Sequence, residues 1–344
     1  KEIGYSLIIY PSYSGKDLTG LDKLEKVGAE IRIDGVKNIE RVNFPGLKTV
    51  GTIYIKNTLI GLADFPLLTT VTQDLTLDCP LAGINYPKLK LVKGAILLNT
   101  ASNSNAMMSK ISFPALEEAG SITINWFKSV KKLDFPALKK IGNMSFVQLT
   151  MLSFINTPKV ETSTGTITIP STTYLSEVSF PEMTEAATLV IDSKTIKVLD
   201  FPKLKTITTR LAVQNAAVEG ISDFKALERI EGELYLYELP LMTTVKIPSI
   251  VKYISRLTIG SRNLPPYKEI TGDDVFKGTL TIASSGASYN NGYPGFPKLE
   301  GFHEVDSLSL DGYVSYMDTV HIRTIKKIDK GFRLENNNIK RFSM

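Results

Sequence analysis

One phrase returns along the whole of this chain, and it constrains the fold more than any other feature. It reads NFPGLKTVGTIYI from Asn43 to Ile55, DFPLLTTVTQDLTL from Asp64 to Leu77 and DFPALKKIGNMSF from Asp134 to Phe146. It comes back as SFPALEEAGSITI from Ser112, SFPEMTEAATLVI from Ser179 and DFPKLKTITTRLAV from Asp200. Degraded copies carry it to both ends: GLDKLEKVGAEIRI from Gly20, DFKALERIEGELYL from Asp223, KIPSIVKYISRLTI from Lys246 and HIRTIKKIDKGFRL from His321. A repeat of about 22 residues implies a solenoid, because one such unit cannot bury its apolar face alone and does so only against its neighbours.

The phrase closes on L-x-I, which alternates apolar and other residues at period two, the pattern of a strand with one face buried. One strand per turn follows, centred on Arg32, Tyr54, Thr76, Leu97, Thr123, Ser145, Thr168, Val190, Ala212, Tyr235, Thr258, Thr281, Ser309 and Arg333. A turn this short cannot hold a strand and a long helix, so the return path is expected to be extended or to contain brief 3₁₀ or β segments. The expected fold is mainly β: a leucine-rich-repeat-like β-solenoid with a parallel sheet of about fourteen strands and little helix. Residues 1–17 read as an N-terminal cap or linker, and residues 18–344 as one solenoid domain.

The F-P phrase supplies the opposite wall, with Phe44, Phe65, Tyr86, Phe113, Phe135, Phe180, Phe201, Phe224 and Phe296 at equivalent positions. Stacked turn upon turn they form an aromatic spine, each ring contributing about 1.5–3 kcal/mol of apolar transfer. Two residues past each strand's second apolar position stand Asn57, Cys79, Thr100, Gln148, Ser171, Ser193, Asn215, Ser261, Ser284 and Asn336. Small polar side chains there are expected to bond backbone groups left over in buried turns, which gives Cys79 a structural role as a buried thiol.

The strand phrase followed by a polar residue, as in Ile53 to Asn57 and Leu334 to Asn336, is similar to the leucine-rich repeat. The F-P-x-L-x-x-I phrase beside it looks like the receptor L-domain variant and the leucine-rich surface proteins of gut Bacteroidetes. That resemblance covers nearly the whole chain. It implies a bacterial cell-surface or secreted protein that binds other molecules, often anchored as a lipoprotein, with a repeat that carries no ligand site of its own. The cysteine-rich modules that accompany receptor L domains are missing, so a growth-factor-like ligand does not carry over.

Composition narrows the remaining classes. With 43% hydrophobic and 22% charged residues the chain is an ordinary folded protein, and a net charge of +5 over 344 residues gives no expectation of nucleic-acid binding. A single cysteine allows no intrachain disulfide. The chain opens at Lys1 without Met and has no basic stretch leading into an apolar run, as expected of a processed or trimmed chain. No uninterrupted apolar stretch is long enough for a membrane span. A monomer without cofactor is expected.

On the sheet's outward face two patches stand out. The first holds Glu30, Arg32, Asp34, Tyr54, Lys56, Asp74 and Asp78; the second holds Asp192, Arg210, Glu233, Tyr235, Tyr237 and Arg256. The second is the better binding candidate, since tyrosine and arginine are over-represented at interface hot spots, although cross-strand pairs that only support the sheet account for the same letters. Two insertions, TASNSNAMMSK from Thr100 and SSGASYNNGYPG from Ser284, fall on one edge of the coil; Tyr289 and Tyr293 with Asn290 and Asn291 are of the kind that hydrogen-bonds or stacks on a sugar, while a disordered surface loop explains the same letters. Lysines at 131, 132, 139, 140, 203, 205, 326 and 327 fringe the return wall, where solvation between buried residues is their usual explanation and a polyanion or acidic membrane surface the alternative.

Catalytic motifs are missing. The two histidines, His303 and His321, have no nucleophile elbow near them in sequence, and two distant histidines with one cysteine do not make a zinc site. Asp273 and Asp274 lack the acidic repeat of a calcium loop. The enzyme alternative is a parallel β-helix acting on polysaccharide, for which Asp34, Lys56, Asp74 and Asp78 are the nearest approach to a carboxylate pair. The sequence thus points to a non-catalytic surface recognition or adhesion module binding protein or glycan through the solenoid face and edge loops, with a structural spacer as the alternative.

Overall fold

The structure, a computed structural model, describes residues 1–101, 107–220, 224–247, 251, 253–261, 268–284, 298–311, 319–322, 324–335 and 341–343. No helix occurs among them, hence none long and apolar enough to cross a membrane. The chain divides into two compact units, Lys1–Glu182 and Met183–Met344. Each is a parallel β-solenoid.

The first unit stacks Lys26–Asp34, Thr49–Lys56, the split strand Thr70–Val71 with Leu75–Asp78, Leu91–Asn99, Glu118–Asn125, Lys140–Val147 and Thr162–Ile169 in parallel. Two short strands, Glu2–Ile3 and Leu7–Ile9, pair in parallel with Lys26–Asp34. The second unit stacks Glu185–Asp192, Thr206–Gln214, Arg229–Tyr237, Tyr253–Ser261, Val275–Ser284, Glu304–Asp311 and Lys327–Glu335. Every strand centre expected from the repeat falls inside one of these fourteen. The period-two rule explains the match: Ile53 and Ile55 are fully buried while Tyr54 between them is half-buried and faces out.

The return path makes a second, narrower set of ladders three residues wide. In the first unit Arg41–Asn43, Leu62–Asp64 and Gly83–Asn85 pair in turn, as do Lys110–Ser112, Lys132–Asp134 and Phe154–Asn156; in the second, Thr244–Lys246, Glu269–Thr271 and Lys298–Glu300 do the same. The first five of these strands in chain order each deliver the chain to a ring of the aromatic spine, Phe44, Phe65, Tyr86, Phe113 and Phe135. Ring centroids are 5.4 Å apart for Phe44 and Phe65, 5.1 Å for Phe65 and Tyr86, 5.6 Å for Tyr86 and Phe113, and 6.0 Å for Phe113 and Phe135. In the second unit Phe201 and Phe224 stack at 5.1 Å. Phe296 lies outside the described residues.

Two features of the coil were not anticipated from the repeat. One is a backbone close approach before the long strands: a Cβ at Gly51 would lie 1.9 Å from the Ala29 carbonyl oxygen, and one at Gly142 2.1 Å from that of Gly120. Only glycine fits where consecutive turns touch main chain to main chain. The other is an Asp/Asn/Ser ladder just ahead of the spine. Asn85 donates through Nδ2 to Asp64 Oδ1 at 2.8 Å, and Arg41 donates to Asp64 Oδ2 at 2.7 Å. Asn156 donates to Asp134 Oδ1 at 2.7 Å, Ser112 to its Oδ2 at 3.1 Å, and Lys110 sits 2.6 Å away.

The expected row of small polar residues at the corner behaves differently. Asn57, Gln148 and Asn215 adopt φ of 54°, 57° and 54°, in the left-handed region, and Asn57 and Gln148 are exposed. Trp126 and Glu238 take the same conformation, with φ of 69° and 53°. A left-handed residue turns the chain by one step, so the next residue is buried: Thr58, Phe127, Leu149, Ala216 and Leu239, with Glu238 buried as well. Cys79, Thr100 and Ser193, which lack the left-handed step, are themselves buried. Nor do these side chains bond the backbone turn by turn: Ser193 pairs with Thr195 at 3.1 Å, and the Thr100 hydroxyl has no partner.

Two stability outcomes follow. Tyr86 is fully enclosed, its hydroxyl has no hydrogen-bond partner, and burial holds its phenol well above the ordinary value. Tyr86→Phe is therefore expected to stabilise the protein by about 1 kcal/mol in urea unfolding, since it removes an orphaned polar group and keeps the ring. For Asp134, burial alone would raise the carboxyl, but hydrogen bonds from Lys110, Asn156 and Ser112 and the Lys110 charge outweigh it and lower the group to about 2. A depressed carboxylate stabilises the fold above its unfolded value near 4 and loses that contribution as pH falls through 2. Asp134→Asn should cost about 2 kcal/mol at pH 7, and its deficit against the parent protein should shrink between pH 4 and pH 2.

Candidate functional site

The second patch expected from sequence assembles on the outward face of the Met183–Met344 unit. Register sorts it into three rows. Arg210, Glu233, Arg256 and Thr279 face one another across successive strands; Ala212, Tyr235, Thr258 and Thr281 form the next row; Gln214, Tyr237, Gly260 and Ala283 the third. Asp192 joins the third row opposite Gln214. All six residues singled out from sequence thus share one surface.

Much of that surface is bonded to itself. Arg210 Nε lies 2.9 Å from Glu233 Oε2, an ion pair without the alignment of a hydrogen bond, and the Arg210 Cζ sits 4.5 Å over the Tyr235 ring. Glu233 Oε1 accepts from the Thr258 hydroxyl at 2.6 Å. Asp192 accepts from Gln214 and Asn215, each at 2.7 Å. Tyr235 and Tyr237 stack with centroids 5.5 Å apart, and Tyr237 leans over Gly260, where a Cβ would come within 2.8 Å of its ring. Arg256 is the exception. It is exposed and makes no ion pair or hydrogen bond with any described residue; its neighbour Glu233 closes on Arg210 and Thr258 instead.

Beyond Arg256 the same face opens into a trough of about 550 Å³. Its floor continues the rows: Thr279, Ser307 and Gly331; Thr281, Ser309 and Arg333; Ala283, Asp311 and Glu335. Short hydroxyl side chains across three strands leave the depression, and Arg256 stands on one wall with Arg333, paired to Glu335, on the other. A floor of hydroxyls between a guanidinium and carboxylates can exchange hydrogen bonds with a ligand that is itself rich in hydroxyls. The sequence reading overlooked this trough. Its signal is a lack of bulk, Thr, Ser, Ala and Gly at outward positions on neighbouring turns, which becomes visible only once register is known.

The first patch, in the Lys1–Glu182 unit, is closed by its own bonds. Arg32 stacks 4.3 Å over Tyr54 and pairs with Asp34 at 3.1 Å, and Lys56 pairs with Asp78 at 3.4 Å. Asp74 Oδ1 accepts from the Ala95 backbone N–H at 2.7 Å, where it secures the bulge at Gly94. The carboxylates considered as a glycosidase pair are therefore each held by a structural partner: Asp34 by Arg32 and Asn57, Asp78 by Lys56 and Asn99.

Elsewhere the candidates separate. Burial pushes the Cys79 thiol up to about 12, against a smaller lowering by its hydrogen bond with Thr58, so it is held as the unreactive thiol. His303 Nδ1 lies 3.2 Å from Asp274. Among the described residues no group of three or more His, Cys, Asp or Glu is placed to hold a metal ion. Several return-wall lysines are paired, Lys132 with Asp134, Lys139 with Glu117, and Lys327 with Glu304 and Asp329. Tyr289 and Tyr293 lie outside the described residues, as do residues 102–106 of the insertion that begins at Thr100.

No family model, curated protein or solved structure matches this chain. The repeat and the geometry are therefore the whole basis for a functional reading.

Part of the patch has a structural task that can be measured separately. Tyr237→Ala removes both the stack with Tyr235 and the ring that covers Gly260, and is expected to cost about 1 kcal/mol of stability. Arg256→Ala removes an exposed, unpaired side chain and should leave the unfolding midpoint within about 0.5 kcal/mol of the parent.

Proposed function

We propose that this chain is a non-catalytic recognition module, of the kind represented by leucine-rich surface proteins of Bacteroidetes and their L-domain-like repeats, displayed at the cell surface and binding glycan through the trough of the Met183–Met344 unit. The observation that carries the proposal is the trough itself, a hydroxyl-floored depression bordered by charged side chains. A protein ligand would ordinarily meet an apolar, aromatic centre with a polar rim. Here the centre is Thr and Ser, with Phe332 toward one end and the aromatic pair Tyr235 and Tyr237 to the other side. Such a floor suits a solvated, hydroxyl-bearing ligand better than an apolar anchor.

A spacer role has one observation in its favour, the saturation of the Arg32 to Asp78 patch by its own bonds. That argument does not extend to Arg256.

The test is binding to a polysaccharide array. Wild-type protein should retain at least one saccharide class, and Thr281→Trp, which fills the middle of the floor from a solvent-facing position, should lose it while unfolding at the same denaturant concentration. Retention unchanged in Thr281→Trp would remove the trough from consideration. Release of reducing ends from the retained polysaccharide would sink the non-catalytic assignment.

A further inference from the structure

We infer that the saccharide taken by this trough is acidic, and that its carboxylate is received by Arg256; the inference rests on the glycan reading above. Charge accounting within the trough leads there. Arg333 is neutralised by Glu335, and Asp311 also has a partner, which leaves Arg256 as the charged side chain of the lining without one. Its cross-strand neighbour Glu233 has the opposite charge and is close in register, yet it turns to Arg210 and Thr258. The Arg210–Glu233 pair therefore has a consequence beyond the sheet: it leaves Arg256 without a direct partner.

The surroundings reinforce the same sign. Lys277, exposed just ahead of Thr279 on the adjoining strand, has no ion pair with any described residue either. In Arg256's own row the following residues are Thr279 and Ser307, donors that suit an oxyanion, and then Gly331, which leaves the way open. The carboxylates, Asp311 and Glu335, stand on the far side of the floor. A ligand lying diagonally over the strands thus meets a guanidinium at one end, hydroxyls in the middle and hydrogen-bond acceptors at the other. A saccharide whose end residue alone is a uronate matches that order, with its carboxylate at one end and the hydroxyls of neutral sugars along the rest. A guanidinium binds a carboxylate through two parallel N–H bonds, which fixes orientation as well as charge.

The decisive experiment is calorimetric titration of the full chain with oligosaccharides that end in a single galacturonate, glucuronate or mannuronate, each beside its methyl ester, which keeps the sugar and removes the charge. At least one acid should bind about tenfold or more tightly than its ester, with affinity falling as salt rises. Arg256→Gln should lower the acid's affinity about tenfold and leave the ester's unchanged, while Arg256→Lys restores part of the loss. Equal binding of acid and ester, both abolished by Thr281→Trp, would overturn the acidic preference and keep the glycan reading. Binding of no saccharide, charged or neutral, on this panel or on the array would overturn both. Polyaspartate bound as tightly as the best uronate, with the same dependence on Arg256, would replace the saccharide by an acidic peptide.

Discussion

Each turn of this chain buries its apolar side chains against the turn behind and the turn ahead, and everything else in the structure answers to that condition. A strand such as Thr49–Lys56 brings in only two or three aliphatic side chains, and its return path one ring, Phe44. Alone that is too little apolar area to offset the entropy of ordering some twenty residues. Stacked in register, the same residues become continuous columns, and the parallel backbone ladders are the by-product of holding those columns in line. The glycine at the close approach, the Asp134 cluster and the left-handed corners all serve spacing: they decide how near one turn comes to the next and where the chain bends without leaving the column.

How much of this could be read in advance depended on which physical term controlled each feature. The strands and the spine were legible because burial on one face imposes period two, and because a ring beside proline recurs at a fixed place. The corners were not, because the left-handed conformation depends on backbone strain that Asn57, Trp126, Gln148 and Glu238 tolerate alike despite having nothing in common as side chains. Asn57 and Cys79 occupy the same sequence position, yet one is exposed and the other buried. Composition could not separate them.

The candidate site divides along a similar line. That Arg210, Glu233, Tyr235, Tyr237 and Arg256 share a face was legible, since outward positions follow from the alternation. Which of them were already spent was not, because that depends on register and on rotamers: Glu233 has arginines on both flanking strands and closes on Arg210 alone. The trough escaped notice for a further reason. A depression is made by side chains that are small, and small residues at outward positions look like background until four neighbouring strands are set side by side.

The rows that build the trough run across strands, one residue per turn, so the dimension of the surface along the coil is quantised. Neighbouring strands lie about 4.8 Å apart, and a gain or loss of one repeat in this part of the chain would lengthen or shorten the depression by one such step while leaving its width, set by three outward residues of a strand, untouched. Such a fold can alter the length of its outward surface by duplicating or deleting a unit, and the chemistry of each step by a single outward substitution. Length and chemistry of the surface are then separately heritable, a freedom that a pocket closed on all sides does not possess.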